Sequence, residues 1–142
     1  MHDGHPLEFG TFVTPRSDRP DETVELARRS EDLGFDLVTV QDHPYQPAFL
    51  DTWTVLSWIA GRTQRIRLAP NVVSLPMRDP AVLARSAASL DLLSGGRVEL
   101  GLGAGASWDA IGAMGGHRRE PGAAVQALRE ALEVIRMLWD GS

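Results

Sequence analysis

The chain has 142 residues, 43% of them apolar and 23% charged, with a net charge of −5 and no cysteine; its fourteen cations are all arginines. That length accommodates a sizeable core, so residues 1–142 read as a single domain. The composition argues against nucleic acid as the main partner, and it excludes thiolate chemistry and disulfides and any Schiff base formed on lysine. No apolar run approaches the ~20 residues a bilayer requires. The amino terminus MHDGHP lacks the basic and apolar regions of a signal peptide, so a cytoplasmic protein without a membrane partner is expected.

Taken in order, Leu7 to Val13 reads as a first strand, apolar with little strict alternation, as for a strand covered on both faces. Pro20 then opens a helix carrying Val24, Leu26, Ala27, Ser30 and Leu33, and Gly34 closes it as a left-handed cap. Phe35 to Gln41 is the second strand. Asp42, His43 and Pro44 end it, and the proline holds His43 in extended geometry outside any helix. Asp51 caps a helix with Trp53, Leu56, Ile59 and Ala60 at helical spacing.

Ile66 to Val73 is the third strand, with Pro70 predicting a bulge close to Asn71. Asp79-Pro80 starts a helix whose buried stripe is Leu83, Ala87, Leu90 and Leu93, and Gly95 ends it. Arg97 to Leu102 is the fourth strand. It runs into glycines at 101, 103 and 105, a pattern that predicts close approach of something to the backbone, a binding edge. The connection from Gly103 to Glu120 is too long for an ordinary βα loop and predicts a short extra helix at SWDAIGAMG. Pro121 opens a last helix, with Val125, Leu128, Leu132, Ile135 and Leu138 on one face.

The strands recur at a spacing of roughly thirty residues, the size of a βαβ unit. Four right-handed units make a curved parallel sheet, either an open doubly wound nucleotide-binding sheet or the first half of a (β/α)₈ barrel. Glycines 101, 103 and 105 do not complete a dinucleotide fingerprint, because no helix follows directly to face a pyrophosphate. His2 and His5 have no further ligand at metal spacing, so no metal site is expected.

Three pieces, LGFDLVTVQDHPYQP, RIRLAPNVVSLPMRDPAVLARSAASLDLLSGGR and VELGLGAGASWDAIGAMGG, together resemble the luciferase-like flavin-dependent oxidoreductases, in particular the branch that uses the deazaflavin coenzyme F420. The resemblance implies a TIM barrel of the (β/α)₈ kind, of which this chain would be the amino-terminal half. It implies hydride transfer between F420 and a small-molecule substrate, with a flavin mononucleotide (FMN) monooxygenase as the alternative. An inactive half-barrel serving only as an assembly partner is the non-enzymatic alternative.

By the same resemblance, Asp42 and His43 are the catalytic pair beside the reactive ring, with Asp42 also contacting the cofactor. Asn71 and Val72 form a bulge with a cis peptide behind the ring, and Ala104 and Gly105 lie along the cofactor. Sugar-phosphate dehydrogenases of the family carry a glutamate where Ala106 stands here, so that proton donor does not carry over. Trp108 is expected to anchor its loop by burial. Half a barrel leaves two open strand edges, so a homo-oligomer or a complementary half-barrel is the expected partner.

Overall fold

Parallel pairing of the apolar runs builds the sheet in the computed structural model, which describes residues 6–141. The pair His2 and His5 lies outside those residues. Strands β1 (Gly10–Val13), β2 (Leu37–Val40) and β3 (Arg67–Pro70) lie in sequential order, with Gly10 opposite Leu37 and Leu37 opposite Arg67. Each is shorter than its apolar run. Just before β1 and β2 the pairing runs one residue further, Asp36 N–H donating to Phe9 C=O at 2.9 Å while the Asp36 carboxylate accepts from Phe9 N–H at 2.8 Å.

The third run divides into β3 and β4 (Val73–Ser74), separated by a cis peptide between Asn71 and Val72. The fourth run is likewise interrupted. It joins β3 through a parallel bridge between Leu68 and Val98, then pairs with β4 as β5 (Leu102–Gly103).

Helices α1 (Pro20–Asp32), α2 (Thr52–Ala60) and α3 (Pro80–Ser94) follow the first three strands. Two of their caps are the expected aspartates: Asp51 accepts from Thr54 N–H, and Asp79 from Ala81 and Val82 N–H. Gly95, at φ +76°, turns the chain out of α3 in the left-handed conformation that glycine adopts freely. The long connection holds a short helix, α4 (Trp108–Ala113), before α5 (Pro121–Asp140).

The main core lies between the sheet and the helices, where Val38, Val40 and Leu68 meet Ala27, Leu56, Ile59 and Leu90. A second cluster joins Val73, Leu83, Ala84 and Ile135. Three helix faces differ from expectation. Leu93 is 86% exposed, and the buried stripe of α3 is Leu83, Ala84, Ala87 and Leu90.

On α5 the buried residues are Ala124, Ala131 and Ile135, while Val125, Leu132 and Leu138 are exposed. α5 meets α3 through Ile135, clustered with Leu83 and Ala84, and through Trp139, whose Nε1 donates to Ala84 C=O at 3.0 Å. On α1, likewise, Leu26 and Leu33 are exposed while Thr23, Ala27 and Ser30 are buried.

The other face of the sheet carries no helix among the described residues. Thr11 turns to α1, its hydroxyl 2.9 Å from that of Ser30, so by alternation Phe12 projects from the opposite face, 58% exposed. Arg67 lies there too, ion-paired to Glu8 and Glu99.

Candidate active site at the strand ends

The carboxyl ends of β2, β4 and β5 converge on a pocket of about 180 Å³ lined by Asp42, His43, Tyr45, Val72, Val73, Ser74, Gly103, Ala104, Gly105 and Ala106. Five of the six residues singled out from the sequence therefore share one cavity wall. Asn71 does not line it. That residue is exposed, and its N–H donates to Val40 C=O at 2.8 Å, which ties the bulge to the end of β2.

Asp42 is 2% exposed and fully engaged. One carboxylate oxygen accepts from Ser74 N–H (3.0 Å) and Arg78 Nε (3.0 Å), the other from Arg78 Nη2 (2.7 Å). The same Nη2 reaches Asp51 at 2.8 Å, and Asp51 in turn caps α2. Burial alone would lower the Arg78 pKa, but hydrogen bonds and charge from Asp42 and Asp51 outweigh it and raise the value above the ordinary guanidinium range. For Asp51, burial pushes up and the bonds from Arg78 and Thr54 push down, with a net lowering. This bidentate clamp ties the ends of β2 and β4 to the start of α2.

His43 stands beside that clamp, half-buried. Its Nδ1 lies 2.9 Å from the Tyr45 hydroxyl, and its ring is flanked by those of Tyr45 and Phe49 at centroid distances of 5.5 and 6.3 Å. The loop holding these rings is pinned to the β1 end: Ser17 N–H donates to Ala48 C=O at 2.8 Å and Leu50 N–H to Pro15 C=O at 2.7 Å. Neither Tyr45 nor Arg78 emerged from the sequence reading. Tyr45 could have been suspected, because it follows the His43-Pro44 stop by one residue; nothing local signals Arg78.

The glycine run has a steric reason besides the one expected. A Cβ at Gly101 would meet Pro70 C=O at 2.6 Å, and one at Gly103 would meet Val72 Cγ2 at 2.5 Å. At Gly105, where φ is +110°, it would meet Pro76 Cγ at 2.6 Å and Trp108 Cη2 at 2.9 Å. What approaches the backbone is the chain's own 70–76 segment together with Trp108, which sits half-buried against Gly105 and anchors its loop there. Gly103 and Gly105 also line the pocket, so they serve both contacts.

The residues fit one part of a flat ring system. Val72, 43% exposed, offers an apolar surface beside the small side chains of Ala104 and Ala106. A volume of about 180 Å³ is below the roughly 300–1,000 Å³ of complete small-molecule sites, so these residues make one wall and not an enclosure. Among the described residues no group of three or more acidic or histidine side chains could hold a metal ion, and no helix is long and apolar enough to cross a membrane.

The family described as luciferase-like monooxygenase matches residues 6–142. The chain is 36% identical to the F420-dependent glucose-6-phosphate dehydrogenase of Amycolatopsis mediterranei over 94% of its own length and 42% of that protein's. For the same enzyme from Kribbella flavida the identity is 37%, with the same shares.

An F420-dependent secondary alcohol dehydrogenase, solved with an F420–acetone adduct, superposes with a TM-score of 0.84 at 28% identity, covering 95% of this chain and 42% of that one. The FMN-bound oxygenating constituent of 3,6-diketocamphane monooxygenase from Pseudomonas putida gives 0.83 at 26% identity, with shares of 95% and 40%. The chain thus spans about two fifths of the length of its relatives, 42% of the curated ones, and its parallel sheet is a partial TIM barrel. With the match extending from residue 6 to residue 142, the chain belongs to the luciferase-like monooxygenase family.

Proposed function

We propose that this chain supplies the ring-binding wall and the proton-handling residue of an F420-dependent oxidoreductase acting on a small organic substrate. The observation that carries the reading is the convergence of His43, Val72, Ala104 and Gly105 on one pocket at the strand ends. F420-dependent relatives at 36 and 37% identity support the choice of cofactor.

When bound, a deazaflavin supplies two-electron hydride chemistry. Val72 and the small residues at 104–106 would hold one side of its ring. His43 would exchange a proton with the substrate atom whose charge changes as hydride moves. Asp42, buried and bonded to Arg78 and Ser74, would act by fixing the strand end that presents His43. Ala106 lines the pocket and offers no acid, so a substrate that needs a second proton donor at that place is disfavoured.

Monooxygenase chemistry with FMN is the second reading, supported by the FMN-bound relative. For the partner, the helix-free sheet face with Phe12 and the outer edge of β1, which pairs only with β2 among the described residues, suits a complementary half-barrel or a second copy. Titrating the protein separately with oxidised F420 and with FMN, by fluorescence and calorimetry, tests the reading. Saturable binding of F420 alone supports it; FMN alone favours the monooxygenase; neither ligand, with a stable oligomer, favours an assembly role.

A further inference from the structure

We propose that Tyr45 is a positioning residue, donating its phenolic hydrogen to His43 Nδ1 and thereby holding the imidazole as the Nε2–H tautomer. The inference rests on the proton-handling role given to His43 above and deepens it. The 2.9 Å contact is compatible with either direction of donation, so the chemistry of the two groups decides. The unprotonated nitrogen of a neutral imidazole is a good acceptor, whereas a phenolic oxygen is a better donor than acceptor, its lone pair being drawn into the ring. Among the described residues the Tyr45 hydroxyl has no other hydrogen-bond partner, and neither does His43 Nε2.

The surroundings make this an oriented contact. Pro44 keeps residue 43 extended, and the turn closed by Gln46 N–H on His43 C=O (2.9 Å) brings residue 45 back beside it. Phe49 and Tyr45 border the imidazole, restricting its rotation. Both His43 and Tyr45 line the pocket, so a ring locked through Nδ1 leaves its Nε2–H as the donor available to a ligand. Such a site suits a substrate that presents an oxygen acceptor, a carbonyl or its equivalent, rather than one that presents only C–H bonds.

The test is nuclear magnetic resonance of the protein labelled with ¹⁵N-histidine, without cofactor, at about pH 8, above the ordinary imidazole pKa of ~6.5. His43→Gln assigns the signal. Expected is a single Nε2–H tautomer in the unsubstituted protein. Tyr45→Phe should lose the hydrogen-bond shift at Nδ1 and average the two tautomers, while Phe49→Leu, which keeps the hydroxyl, should retain the original pattern.

A proton found on Nδ1 in the unsubstituted protein overturns the proposal, as does a folded Tyr45→Phe protein with an unchanged spectrum. The first of these readings needs no variant to fold. Because no cofactor is present, a negative result here leaves the oxidoreductase reading standing. Failure of F420 to bind, conversely, leaves the tautomer result intact.

Discussion

Removing the Asp42 carboxylate should be among the most costly single changes in this chain. Asp42→Ala strips three hydrogen bonds at 2.7–3.0 Å from two partners, the Ser74 amide and the Arg78 guanidinium, at a position only 2% exposed. Breaking a buried ion pair from one side costs about 3–5 kcal/mol, because the remaining charge is left uncompensated. Asp51, still bonded to Arg78 at 2.8 Å, offsets part of that cost, which brings the expectation to roughly 2–4 kcal/mol.

For a chain of this size each kcal/mol moves Tm by about 2–4 °C, so a fall of the order of 10 °C is expected. Urea unfolding of Asp42→Ala, Arg78→Ala and the double variant measures it. The two losses should be strongly non-additive, with the double variant close to the worse single one. Additive losses, or less than about 1 kcal/mol for Asp42→Ala, would show that the clamp does not hold the strand ends together.

Other outcomes follow from the same geometry. Gly101→Ala places a Cβ 2.6 Å from Pro70 C=O, a backbone atom that cannot swing away, and should cost about 1–3 kcal/mol by overpacking. Gly112→Ala, inside α4 with nothing within 4 Å, should be neutral or stabilising by up to ~1 kcal/mol; thermal melting of the pair separates the two cases. Glu31 accepts from the amides of Gln64, Arg65 and Ile66, and these bonds outweigh burial and hold its pKa below the usual carboxylate value.

A depressed carboxylate stabilises the fold fully above its unfolded value of ~4.3 and loses that contribution as pH falls through the folded value. Glu31→Gln should therefore be less stable than the unsubstituted protein at neutral pH, with the difference closing in acid; denaturation at a series of pH values checks it. Arg97 is buried and gives all its hydrogen bonds to uncharged acceptors: Ser94, Ala60, Thr63 and Ile66 carbonyls and the Thr63 hydroxyl. Arg97→Met should destabilise by about 2–4 kcal/mol through orphaned acceptors, and Arg97→Lys by less, readable by urea unfolding.

By itself, the amino-acid sequence determined the βα alternation, the parallel order of the strands and the caps at Asp51, Asp79 and Gly95. It also placed His43, Val72, Ala104 and Gly105 at strand ends. The elements and caps follow from local chemistry, namely apolar runs of strand length, side-chain acceptors before helices and a proline that stops a strand, whereas the choice of His43, Val72, Ala104 and Gly105 came from the family resemblance. Tertiary structure alone decided the rest.

Arg78 meets Asp42 across 36 residues, and no local pattern announces which carboxylate a distant arginine will find. The glycines at 101, 103 and 105 looked like room for a ligand, and the 70–76 segment and Trp108 need the same room, since a missing Cβ does not say which neighbour uses the space. On α5 the periodicity marked Val125, Leu128, Leu132, Ile135 and Leu138 as one face, and of these the fold buries Ile135, together with Ala124 and Ala131, small residues that a hydrophobicity pattern undervalues. Short-range preferences are written residue by residue along the chain. Pairings between remote segments exist only once the sheet has brought them together.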